Sequence, residues 1–112
     1  MTTNPNGGNI TLIGNSINIA STIATAGTNS VTIRPYTSGV DVLLGPVSNF
    51  IGGPLHLSDA DLDFVTANSI SIGNASTGDI TVSSPITRAA LTNINLLSND
   101  NVTLDGGNIN TN

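Results

Sequence analysis

The chain has 112 residues, enough for one small domain, and only nine of them are charged: seven Asp and two Arg, for a formal net charge of −5. Two cations cannot make the basic footprint that DNA or RNA needs, so nucleic-acid binding is excluded. No window reaches the roughly 18 apolar residues of a membrane span, and zero Cys excludes disulfides, thiolate chemistry and Cys-based metal sites. Asn, Thr, Ser and Gly dominate alongside Ile, Val and Leu, while Glu, Lys and Gln are absent. Plentiful aliphatics with sparse charge point to a folded chain, and the lack of strong helix formers points to an all-β one.

In chain order, short alternating runs recur at 9–13, 16–20, 30–33, 39–43, 69–72, 79–82, 93–96 and 101–104. Each follows an apolar–polar–apolar beat, the period-two pattern of a strand with one buried face. The predicted inward residues are Ile10, Leu12, Ile17, Ile19, Val31, Ile33, Ile70, Ile72, Ile80, Val82, Ile94, Leu96, Val102 and Leu104. Turn residues separate the runs, as at Gly14-Asn15, Gly73-Asn74, Thr77-Gly78 and Asp105-Gly106. Two-residue Asn-Gly hairpin turns between runs are missing, which disfavours a meander.

A longer period overlies the alternation. Ile10 to Val31, Val31 to Leu55 and Ile70 to Ile94 are steps of roughly 20–25 residues, and three short strands fit in each. The expected fold is therefore a right-handed parallel β-helix, or β-solenoid, of about four to five coils, spanning 1–112 as a single domain. One segment breaks the beat at 59–66. Ser58 is a suitable N-cap, Asp59 and Asp61 follow in the first turn, and Leu62 and Val65 have helical spacing. A short helical insert is expected there, with Leu62 and Val65 or Phe64 covering a flank or an end.

Two stretches carry a likeness. Residues 31–45 (VTIRPYTSGVDVLLG) and 55–86 (LHLSDADLDFVTANSISIGNASTGDITVSSPI) resemble the repeat units of large bacterial exoproteins of the filamentous haemagglutinin family. The flanks at 7–27 and 92–109 are similar to the more generic repeats of that family. The resemblance implies a segment of a longer repeat protein, secreted or displayed on the bacterial cell surface, whose β-helical shaft serves adhesion. A host or neighbouring cell surface is the partner implied.

The residues able to carry chemistry read as structural. Asp59, Asp61 and Asp63 form a D-x-D-x-D run, but a calcium loop would need Gly and Glu where Phe64 and Ile70 stand. Acids at a helix N-terminus explain them better. His56 lies between Leu55 and Leu57, so it points outward if those two face the core. Arg34 and Arg88 are too few for a polysaccharide lyase, and an ion pair of Arg34 with Asp41 or Asp63 is expected. Asn15, Asn29, Asn68 and Asn101 could stack as amide ladders at repeated turns. Thr11, Thr32, Thr81 and Thr103 could share one outer face, though with a single Thr per strand.

The expectation is thus a non-catalytic structural protein, with no catalytic, cofactor-binding or metal-binding residue and no cofactor. Its alternative is a self-assembling subunit of an extracellular filament, built by head-to-tail stacking of open solenoid ends. A carbohydrate-binding or polysaccharide-acting β-helix is a weaker reading, since Tyr36 alone is a thin aromatic platform.

Overall fold

Runs of β-branched and aliphatic residues punctuated by Gly, Asn and Ser form twelve short strands and one helical turn in the computed structural model, which describes residues 8–25, 29–45, 53–88 and 92–110. The elements are β1 (Ile10–Ile13), β2 (Ile23–Ala24), β3 (Ser30–Arg34), β4 (Val42–Leu44), β5 (Leu55–Leu57) and α1 (Asp59–Asp63). They continue with β6 (Val65–Thr66), β7 (Ser69–Gly73), β8 (Ile80–Val82), β9 (Ile86–Thr87), β10 (Asn93–Leu97), β11 (Val102–Leu104) and β12 (Ile109–Asn110).

The strands assemble into four sheets, ordered β1-β3-β7-β10, β11-β8-β4-β5, β12-β9 and β2-β6. Every pairing among the described residues is parallel. A parallel neighbour can be reached only by a crossover, so consecutive strands belong to different sheets, except β4 and β5, which pair directly across the 10-residue connection between them. β7, β8 and β9 lie in three sheets, and β10, β11 and β12 follow in the same order, each on its counterpart. The expected all-β class with parallel strands is therefore present.

Register holds the aliphatics in rows. Ile10, Val31, Ile70 and Ile94 form one, and Leu12, Ile33, Ile72 and Leu96 the next. Among the described residues sixteen aliphatic side chains are buried, and no aromatic is. Each contributes roughly 1.5–3 kcal/mol relative to exposure, so stabilisation is spread along the rows and does not hang on a few large rings. Gly73 is required where these rows turn. Its φ of +88° suits glycine, and a Cβ there would overlap the Leu97 carbonyl oxygen.

Three expectations need correction. Val31 pairs with Ile70 and not with Leu55, which lies instead beside Val42. The chain leaves β4, places β5 at the far side of that strand, and passes through α1 and β6 before rejoining the first sheet. The periodic step is thus interrupted by an inserted circuit.

The helical insert is shorter than 59–66. Its start is as expected: Ser58 caps α1, with its Oγ accepting from the Asp61 N–H and Asp61 Oδ2 accepting from the Ser58 N–H. The helix stops at Asp63, however, because Val65 pairs with Ile23 across β6 and β2. Tertiary pairing overrides a helical spacing that one turn cannot sustain. Leu62 and Val65 are fully buried, while Phe64 is 39% exposed.

Val102 and Leu104 are the third correction. They keep register with Ile80 and Val82, yet are 47% and 61% exposed. β11 is the edge strand of its sheet, and nothing among the described residues lies over its apolar face. The other expected core residues are buried or, for Ile10, Leu12, Ile94 and Leu96, packed against the core from its margin.

Candidate functional site

The three acids of the D-x-D-x-D run do not converge. Asp59 Oδ1 accepts from the Thr87 N–H at 2.7 Å, tying α1 to β9. Asp61 completes the capping box, and Asp63 lies 3.9 Å from Arg88 Nη1. Each carboxylate serves a different structural partner. Among the described residues, no group of three or more His, Asp or Glu could hold a metal ion.

Arg88 is the residue whose importance the sequence did not signal. Its side chain is only 7% exposed, and its Nη1 and Nη2 donate to the Leu62 and Val65 carbonyls. Nε reaches Thr92 Oγ1 at 3.5 Å. A cation at these carbonyls complements the end of α1, and its fork satisfies two backbone acceptors that α1 and β6 leave there. The expected ion pair therefore falls on Arg88 and Asp63. Arg34 instead donates Nη1 to the Pro35 carbonyl at 3.5 Å.

His56 is half-buried on the outward face of β5, opposite Leu43, between buried Leu55 and Leu57. Tyr36 is exposed, and its N–H donates to Asn15 Oδ1 at 2.9 Å. Thr11 and Thr32 are neighbours on β1 and β3, whereas Thr81 and Thr103 are neighbours on β8 and β11. The four do not share one face, because the two pairs belong to different sheets.

Polar side chains instead form columns that run from strand to strand. Asp41 Oδ1 accepts the Asp79 N–H at 2.8 Å, and Asp79 Oδ1 accepts the Asn101 N–H at 3.1 Å. In the first sheet Asn9 Oδ1 does the same for the Ser30 N–H at 2.9 Å. Asn15 accepts from both the Tyr36 and Thr37 N–H groups and donates Nδ2 to Thr37 Oγ1. These are side chain-to-backbone links. The amide-on-amide stacking expected of Asn15 and Asn101 is replaced by them. Their sequence signal is a short acceptor directly before an aliphatic–polar–aliphatic run, as at Asn9 and Asp79. Gly78 beside the column leaves room for it, since a Cβ there would overlap Asp41 Oδ1.

The remaining feature is the edge made by β10, β11 and β12. Ile94, Leu96 and Ile109 lie half-covered at the margin of the core, with Val102 and Leu104 exposed beside them. Such an edge offers unpaired backbone N–H and C=O groups next to apolar surface, which suits strand addition more than small-molecule chemistry. No helix of the described residues is long and apolar enough to cross a membrane. Comparison with protein-family models, with curated proteins and with solved structures gave no match to this chain.

Proposed function

We propose that the chain is a non-catalytic structural segment: a right-handed parallel β-helix of about four to five coils, forming part of the shaft of a secreted, cell-surface bacterial adhesin-like protein. The observation carrying this reading is the repeated sheet order, β7-β8-β9 followed by β10-β11-β12, with each strand parallel to its counterpart. Crossovers between parallel strands are right-handed almost without exception, which supports the handedness. Stacked coils build length at about 4.8 Å per layer, and length is what a shaft supplies.

The chemistry-bearing side chains support the same reading. Asp41, Asp59, Asp61, Asp79 and Arg88 are engaged in caps, columns and anchors. The likeness of residues 31–45 and 55–86 to filamentous haemagglutinin repeats supports secretion and adhesion.

Two measurements test it. Pyrene labels on cysteines replacing Ser71 and Asn95, outward neighbours on β7 and β10, should give excimer emission at nanomolar dilution. Monomer emission alone would overturn the coil reading. Antibody against the chain should bind intact source cells, and surface protease should remove the signal. A protected, intracellular pool would overturn the shaft assignment.

A further inference from the structure

We propose that the coil stack carries a hinge at its third face, between β6 and β9, latched by the side chains of Asp59 and Arg88. The inference rests on the coil reading above and adds to it a level at which the shaft bends. Backbone direction carries it. The Phe64 and Thr66 carbonyls accept from the Ile23 and Thr25 N–H groups, on the β2 side of β6. Carbonyls point alternately to either side of a strand, so the Val65 carbonyl faces away from β2 and towards β9. The Ile86 and Arg88 N–H groups donate to the Asn108 and Asn110 carbonyls, on the β12 side of β9. The Thr87 N–H therefore faces β6. These are the groups that a ladder from β6 to β9 would join.

Side chains take them instead. Among the described residues, β2-β6 and β12-β9 are separate two-stranded sheets. Asp59 Oδ1 accepts the Thr87 N–H at 2.7 Å, and its Oδ2 accepts from Thr87 Oγ1 at 3.4 Å. Arg88 Nη2 donates to the Val65 carbonyl, and Nη1 to the Leu62 carbonyl beside it. The ladder groups are thus satisfied while the ladder itself is interrupted. The other two faces are continuous at this level. β3 pairs with β7 over four residues, and β4 with β8 over three. Those ladders form a spine, and the side-chain links opposite form a latch. The Asp59–Thr87 contact lies in reach of water, where a hydrogen bond is exchanged at little cost. A stack held by ladders on two faces and by side chains on the third opens at the third. Val65 and Ile86 are fully buried there, and wetting them keeps the latched state the major one.

The test places nitroxide pairs, on introduced cysteines, across the same level of each face of the 112-residue chain. Thr66 and Pro85 report the third face, Thr32 and Ser71 the first, and Leu43 and Thr81 the second. Dipolar spectra should give one short, narrow separation for each ladder pair. The Thr66/Pro85 pair should show a second, longer component. Asp59→Ala removes a half-exposed side chain and should raise that component severalfold, as should Arg88→Lys, with the ladder pairs unchanged. A Thr66/Pro85 separation as narrow as the ladder pairs in all three chains overturns the hinge and leaves the coil reading standing. So does an Asp59→Ala chain in which all three pairs broaden together, since the opening is then not confined to one face. Ladder pairs that lie far apart in the parent chain overturn the coil reading, and the hinge falls with it.

Discussion

Asp41 Oδ1 accepts the backbone N–H of Asp79 at 2.8 Å, across 38 positions of sequence, and Asp79 does the same for Asn101. Each side chain satisfies a donor that opens the next strand, just before the ladder begins. The ladder β4-β8-β11 therefore starts at one level, with Val42, Ile80 and Val102 aligned.

Removing the middle of this column should uncouple two strands. Asp79→Ala leaves the Asn101 N–H without its acceptor and should cost about 1–3 kcal/mol, toward the low end because water reaches the site. Asp79→Asn keeps an acceptor oxygen and should cost less than half as much. Urea unfolding of the two variants checks the order. Equal losses would mean that the charge matters and the hydrogen bond does not.

Ile72 and Val102 occupy equivalent inward positions of their strands but differ in what lies over them. Ile72 is fully buried, and Ile72→Ala should cost about 2–5 kcal/mol. Val102→Ala should cost under about 1 kcal/mol in the monomer, since its side chain is half in water already. Denaturant midpoints at micromolar concentration give the comparison. A large loss at Val102 would show that the β11 face is covered in solution.

Glycine positions divide in the same way. Gly39 has φ +82° with open space around its Cβ direction, so Gly39→Ala should cost only the left-handed backbone penalty of about 1–2 kcal/mol. Gly73→Ala adds an overlap with the Leu97 backbone and must push β10 away from β7. It should lose several times as much stability, with faster amide exchange along Asn93–Leu97. Matching losses would put the close approach of β10 in error.

The alternating runs make the inward rows legible because a strand has only two faces, and Thr or Ser at every second position assigns them. The step from Val31 to Ile70 is not legible in the same way. Apolar triplets follow Val31 both at the expected spacing and beyond it, and sequence alone does not say that Leu55 prefers Val42. Burial at the edge is hidden for a related reason. Val102 and Leu104 read identically to Ile80 and Val82, and only the absence of a further strand among the described residues exposes them. The start of α1 is written locally in Ser58 and Asp61, whereas its end is set by Ile23, far away in sequence. Arg88 leaves no local mark either, because its acceptors are backbone carbonyls that carry no residue code.

That anchor supports the last prediction. Arg88 sits within reach of both Asp63 and the Leu62 and Val65 carbonyls, and the two kinds of contact differ in worth. Asp63 is 56% exposed and 3.9 Å away, a pair of the sort that contributes about 0–1 kcal/mol. The carbonyls lie where the guanidinium is buried, and hydrogen bonds to a charged group contribute about 1.5–3 kcal/mol each. Asp63→Asn should therefore change stability by less than about 1 kcal/mol, and that change should fade with added salt. Arg88→Met keeps much of the stem but leaves both carbonyls without their donor, so a loss on the order of 3 kcal/mol is expected. Arg88→Lys retains the charge but not the planar fork, and should fall between the two. Thermal and urea unfolding at low and high salt would rank the three. If Asp63→Asn proved as damaging as Arg88→Met, the ion pair and not the carbonyl cradle would hold α1 and β6 against β9.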